Sequence, residues 1–218
     1  MIWDIALKTF HGIWPILTIF IIVLITARIA YVVSHKEKFC FYKEFWTLFF
    51  LIYILLLFQL LTTTEINHSG GINYVPFTEI MRYKVGSKLF IYNVLGNIII
   101  FIPFGYFISS YIKAKKISLP FLVTLIVSAS IEFVQLKIGR SFDVDDIILN
   151  VLGGVIGYLI YIGLTAIKNH LPKFFQRDLF YNLICLVVVV LLVLYYFGYI
   201  KLGVLIWLTM KLMITMDI

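Results

Sequence analysis

Residues Ile131–Gly157 read IEFVQLKIGRSFDVDDIILNVLGGVIG. Two apolar runs meet here at a short junction carrying Glu132, Gln135, Arg140, Asp143, Asp145, Asp146 and Asn150. Four of the chain's eleven acidic residues lie in this one stretch. Ionisable groups are costly near lipid and usually face a bundle interior, a cavity or a substrate path. The stretch therefore reads as the end of one membrane helix, a polar turn, and the start of the next.

The rest of the chain agrees. Of its 218 residues, 62% are hydrophobic and 13% charged, with a mean hydropathy of +1.04. Such values lie far from those of a soluble domain. Apolar runs long enough to cross a bilayer recur throughout, and the alternating segments of a β-barrel are missing. The fold class expected is all-α, a polytopic helical membrane protein. The net charge of +7 reads as basic cytoplasmic loops, and no nucleic-acid partner is expected. Cys40 and Cys185 show neither metal-ligand spacing nor a disulfide framework. The first apolar run is too long for a signal peptide and lacks a small-x-small cleavage site, so it reads as a retained span.

Six spans are expected, at about Ile13–Val33, Phe45–Leu61, Leu89–Ile112, Leu119–Leu136, Ile147–Ile167 and Tyr181–Ile200. The apolar tail Leu202–Met216, interrupted by Lys211, reads as a short interfacial helix. No internal repeat or low-complexity tract interrupts the order.

Loop charges assign a side. One set of short loops carries Lys36, Lys38, Lys43, then Lys113, Lys115, Lys116, then Lys168, Lys173, Arg177; Arg28 can snorkel to the same side. The opposite set carries Lys8, Arg82, Lys84, Lys88, Lys137, Arg140 and Lys201, more thinly spread. By the positive-inside rule the first set is cytoplasmic. The expectation is a multi-pass protein of the cell membrane with its N-terminus outside.

That orientation gathers the polar groups at one depth. Asn93 and Asn97 fall in the outer turns of the third span, Glu132 and Gln135 in the last turns of the fourth. Asp145, Asp146 and Asn150 open the fifth. Asn93 and Asn97 are spaced i, i+4, Glu132 and Gln135 i, i+3, and Asp146, Asn150, Gly153 and Gly157 make one stripe. Each helix has one polar face, and the faces can meet in the outer leaflet.

Further motifs precede the junction. Asn73-Tyr-Val-Pro-Phe77 lies in the outer loop, and Asn97-Ile-Ile-Ile-Phe101-Ile-Pro103-Phe-Gly105 in the third span. With Glu132-x-x-Gln135, Arg140, Asp143, Asp145-Asp146, Asn150, Gly153-Gly154 and Gly157 following in order, the chain resembles the VanZ-like family of teicoplanin-resistance-associated membrane proteins. The resemblance covers roughly residues 45–167. It divides the chain into 1–44, an N-terminal span with a basic loop; 45–167, the VanZ-like domain; and 168–218, a C-terminal extension.

Each motif also has a plain structural use. Pro103 removes one helix hydrogen bond and either kinks the span or is accommodated by its neighbours. Gly153-x-x-x-Gly157 serves close helix packing. Asp143 and Asp146 precede an apolar helix and can cap it, with Arg140 paired to a carboxylate. Glu132 is different. It sits inside a span, where a carboxylate costs on the order of 3 kcal/mol, and it is a candidate proton donor or acceptor. Its structural alternative is a hydrogen bond to Asn97 or Asn150. The aspartates have hard-oxygen chemistry for a divalent cation, but DVDD is too short to diagnose one, and neither metal nor cofactor is expected. His68, alone in a loop, is assigned no role. No Ser-His-Asp, CxxC, HExxH or phosphate-loop pattern occurs.

Three functions emerge as expectations. The resemblance implies an envelope protein that lowers susceptibility to teicoplanin-type glycopeptides, binding or altering a membrane lipid or lipid-linked precursor. Arg140, Asn93, Asn97, Gln135, Asp143 and Asn150 would then bind, and Glu132, Asp145 and Asp146 would be the working carboxylates. The second is a membrane-embedded enzyme on such a substrate, with Glu132 as general acid–base and an aspartate assisting. A small transporter or flippase ranks last. The chain lacks repeat symmetry, and its ionisable cluster stays in one leaflet, the inner halves of all spans except the first (Arg28) holding no charge.

Overall fold

The computed structural model describes residues 2–63 and 71–198, almost entirely helical. The tail expected at Leu202–Met216, and His68, lie outside the described residues. Among the described residues, six helices are long and apolar enough to cross a membrane.

In chain order these residues form α1 (Ile2–His35), α2 (Phe41–Thr63), β1 (Ile72–Asn73), α3 (Thr78–Arg82), α4 (Lys88–Phe90), α5 (Gly96–Tyr111), α6 (Ser118–Lys137), β2 (Phe142–Asp143), α7 (Val144–His170) and α8 (Asp178–Tyr196). The six expected spans correspond to α1, α2, α4 with α5, α6, α7 and α8; most ends extend past the apolar run, while α5 stops at Tyr111 and α8 at Tyr196. The third span departs from a regular helix in one place. Between α4 and α5 it runs through a π turn, Ile91–Leu95, which holds Asn93. The extra residue in that turn rotates the faces of α5 relative to those of α4, and such turns are frequent at functional sites.

The chain forms two compact units, Met1–Tyr31 with Leu48–His170, and Val32–Thr47 with Leu171–Ile218. In the first, the core is Leu57 of α2, Phe101 and Phe104 of α5, and Ile131 of α6, with Phe50, Tyr53 and Val127 packed against it. The most extensive helix pairing is α5 with α7, and glycine makes it possible. A Cβ on Gly153 would stand 2.2 Å from the Ile98 carbonyl oxygen, one on Gly157 2.2 Å from that of Ile102, and one on Gly105 2.0 Å from that of Gly154. Gly154 also faces Thr124 of α6. The Gly153-x-x-x-Gly157 stripe thus lets the α5 and α7 backbones touch, where dispersion and close approach replace a hydrophobic driving force. Pro103 sits inside α5, and the Tyr53 hydroxyl of α2 donates to the Ile100 carbonyl beside it. A neighbouring helix thereby supplies a polar partner at the proline turn.

From Trp14 onward α1 shows mostly exposed apolar side chains, Leu17 excepted, as a lipid-facing helix requires. Its hydroxyls are returned to the backbone: Thr18 to the Trp14 carbonyl and Thr26 to that of Ile22, each at 2.7 Å.

In the second unit the start of α2 is fastened to α8. Tyr42 N–H donates to Asn182 Oδ1 at 2.9 Å, the Tyr42 hydroxyl to Asp178 at 3.1 Å, and Lys43 Nζ to Asp178 at 3.0 Å. The Tyr42 and Tyr181 rings pack at 5.4 Å.

Candidate functional site

The segment from β1 to α3 and the α6–α7 turn are laced together. β1 and β2 pair in parallel, Ile72 with Phe142 and Asn73 with Asp143. The Asn73 side chain donates to Asp143 Oδ1 at 3.1 Å, while its own oxygen accepts the Val75 N–H at 3.0 Å. Asp143 Oδ1 also accepts the Asp145 N–H at 2.9 Å, capping the first turn of α7. Burial pushes the Asp143 carboxyl above its ordinary range, against the stabilising bond from Asp145.

Asp145, 1% exposed, does something that local sequence does not announce. Its two oxygens accept the backbone N–H groups of Phe77, of Glu79 at 2.8 Å and of Ile80 at 3.1 Å. The carboxylate at the start of α7 thus caps α3, far away in sequence. Phe77 stands at φ 70, a left-handed conformation that a bulky residue adopts at a cost of roughly 1–3 kcal/mol. Its bond to Asp145 helps hold that conformation.

Glu132, also 1% exposed, accepts the Asp143 N–H on Oε2 at 3.0 Å. This replaces the expected bond to Asn97 or Asn150, because β2 folds back over the end of α6 and brings a backbone donor to the carboxylate. Asn97 instead donates to Asp146 Oδ1 at 2.6 Å and to the Asn93 carbonyl at 3.0 Å. Asn150, 2% exposed, donates to Ser128 Oγ of α6 at 2.9 Å. Its Oδ1 is buried with no hydrogen-bond partner. Gln135 is buried, and its carbonyl accepts the Arg140 N–H at 2.9 Å. Arg140 is half-buried and lies within electrostatic reach of Glu132 and Asp146. The charge that acts most strongly on Asp146 is that of Glu132.

The structure therefore brings Asn97, Glu132, Gln135, Arg140, Asp143, Asp145, Asp146 and Asn150 to one end of the α5–α6–α7 bundle. Asn93 sits apart: its side chain is exposed, and its contribution is the backbone carbonyl of the π turn. The candidate set lacked Ser128 and Asn73. Ser128 precedes Glu132 by one turn on the same buried face, a spacing that was readable in the sequence. Asn73 belongs to the Asn73-Tyr-Val-Pro-Phe77 motif, but only the strand pairing gives it a target.

Chemically, the arrangement divides in two. Both oxygens of Asp145 and one oxygen of Asp143 accept amide donors, and the two carboxylates hold the segment from β1 to α3 in place. Glu132 and Asp146 each keep an oxygen without a donor among the described residues, on adjacent helices, suited to accepting a proton or a cationic donor.

An Enterococcus faecium protein named Protein VanZ is 29% identical over 122 residues, which cover 55% of this chain and 70% of that protein. No solved structure matches the chain. Residues 45–169 match the VanZ/LLP1 family, a span that takes in every element of the polar cluster, and the chain belongs to that family.

Proposed function

We propose that this protein acts at the outer leaflet of the cell membrane, with its N-terminus outside, and lowers susceptibility to teicoplanin-type glycopeptides by binding or altering an envelope lipid or lipid-linked precursor. Residues 45–167 are the functional domain in this reading, and 1–44 and 168–218 are accessory. The observation that carries it is the Glu132–Asp146 pair: two carboxylates on neighbouring helices, each tied by one oxygen, with no donor to the other among the described residues. Placing such groups near lipid without a use is costly. Asn97, Gln135, Arg140 and Asn150 form the surrounding binding set. Asp145, with Asp143, is a positioning residue that holds the outer loop. The basic short loops support the orientation.

Two measurements test this reading. Ser141, exposed in the α6–α7 turn, is replaced by cysteine in a Cys40→Ala, Cys185→Ala background. A membrane-impermeant maleimide should label it in intact cells; labelling only after lysis removes the outer-leaflet placement. Glu132→Gln, at unchanged membrane abundance, should return glycopeptide susceptibility to that of cells lacking the protein.

The same carboxylate pair favours a second reading, an enzyme on a lipid-linked substrate with Glu132 as general acid–base and Asp146 assisting. Envelope lipids and precursors compared by mass spectrometry, with and without the protein, separate the two. A changed covalent profile supports the enzyme, and an unchanged profile with altered susceptibility supports binding alone.

A further inference from the structure

We propose that the outer site seats a primary ammonium group, presented by a lipid headgroup or by a small soluble amine, on Glu132, Asp146 and Asn150. The inference rests on the outer-leaflet reading above and names the chemistry of what is bound there.

Its basis is the hydrogen-bond inventory of the α6–α7 seam. Glu132 spends one oxygen on the Asp143 amide and Asp146 one on Asn97. The second oxygen of each meets no donor among the described residues. One turn further along the same helices, Asn150 is fastened through its Nδ2 to Ser128, and its Oδ1 is buried without a partner. Ser128 and Glu132 are i, i+4 on α6, and Asp146 and Asn150 are i, i+4 on α7. The Asn150–Ser128 bond is thus the rung adjacent to the two carboxylates.

A buried amide oxygen left unpaired is unfavourable and calls for an explanation. Among the described residues, the groups of Glu132, Asp146 and Asn150 left unfilled along this seam are acceptors. Glu132, Asp143, Asp145 and Asp146 also outnumber the nearby Arg140, which disfavours a phosphate. A quaternary ammonium would supply charge but no N–H. A primary ammonium supplies a positive charge and three donors, which Glu132, Asp146 and Asn150 can share.

The test uses the full-length protein purified in detergent. Native mass spectrometry reads retention of phosphatidylethanolamine, its N-monomethyl and N,N-dimethyl derivatives, phosphatidylcholine and phosphatidylglycerol. Retention should fall stepwise as N–H donors are replaced by methyl groups. Phosphatidylcholine and phosphatidylglycerol should be held about tenfold less than phosphatidylethanolamine, the scale of one lost charged hydrogen bond. Asp146→Asn and, as the variant least disturbing to charge, Asn150→Ala should each weaken that preference. Competition by free ethanolamine identifies a small amine as the source; its failure to compete identifies the lipid. Equal retention of phosphatidylcholine or phosphatidylglycerol, no retention of any amine, or a preference untouched by both variants overturns the inference. If the preference is absent while Glu132→Gln still restores susceptibility, only the ammonium inference falls. If it is present while Glu132→Gln leaves susceptibility unchanged, the functional reading falls instead.

Discussion

Two polar clusters fasten this chain, and they are built from similar side chains to different ends. At the start of α2, Lys43 and Asp178 pair at 3.0 Å with side chains 57% and 54% exposed. At the α6–α7 turn, Glu132 and Asp145 are each 1% exposed, and their carboxylates are met by backbone amides. An exposed ion pair holds through a screened attraction worth about 0–1 kcal/mol. A buried carboxylate bound to amides is worth far more, because removing it leaves several donors without partners. The first cluster is a fastening that the protein can lose. The second cannot be altered without changing either the fold of the segment from β1 to α3 or the groups presented there.

The comparison yields predictions of graded size. In the α5–α7 seam of the first unit, Gly153→Leu should have the largest effect. Even a Cβ at that position meets the Ile98 carbonyl at 2.2 Å, so α5 and α7 must separate. Folded protein recovered by size-exclusion chromatography in detergent should fall to background; normal recovery would show that the glycine seam is dispensable. Next comes Asp145→Ala, which strands the amides of Phe77, Glu79 and Ile80. A loss of about 3 kcal/mol is expected, with hydrogen exchange accelerated over residues 73–82 and little changed in α7. Uniform acceleration along the chain would contradict a local strap. Asn97→Ala removes one charged hydrogen bond, at 2.6 Å, from Asp146. It should cost about 2 kcal/mol in thermal unfolding. Smallest is Lys43→Ala, expected to shift stability by under about 1 kcal/mol. A larger shift would mean that the exposed cluster carries more of the fold than its exposure implies.

Much of this was legible in the sequence, for identifiable reasons. Span number and approximate limits come from apolar run length. The use of Gly153 and Gly157 comes from their spacing, and the convergence of Asn97, Glu132, Asp146 and Asn150 from one-turn periodicity. The partners within the cluster were not legible. Asp145 looks like a cap for its own helix, yet it caps α3 across a loop whose path no local pattern dictates. Glu132 finds a backbone amide of β2, and backbone donors have no sequence signature. The π turn at Ile91–Leu95 is equally silent, since IYNVL is compatible with an ordinary helix. Periodicity reveals which face a residue occupies, and chain path decides what that face meets.

On the proposed function, the buried cluster acts and the exposed one only fastens. Glycopeptide susceptibility of cells expressing Asp146→Asn and Lys43→Ala, side by side at equal membrane abundance, tests it most directly. Asp146→Asn should abolish the protection given by the parent protein while Lys43→Ala retains it. Protection retained by Asp146→Asn, at an abundance equal to the parent, would contradict the claim.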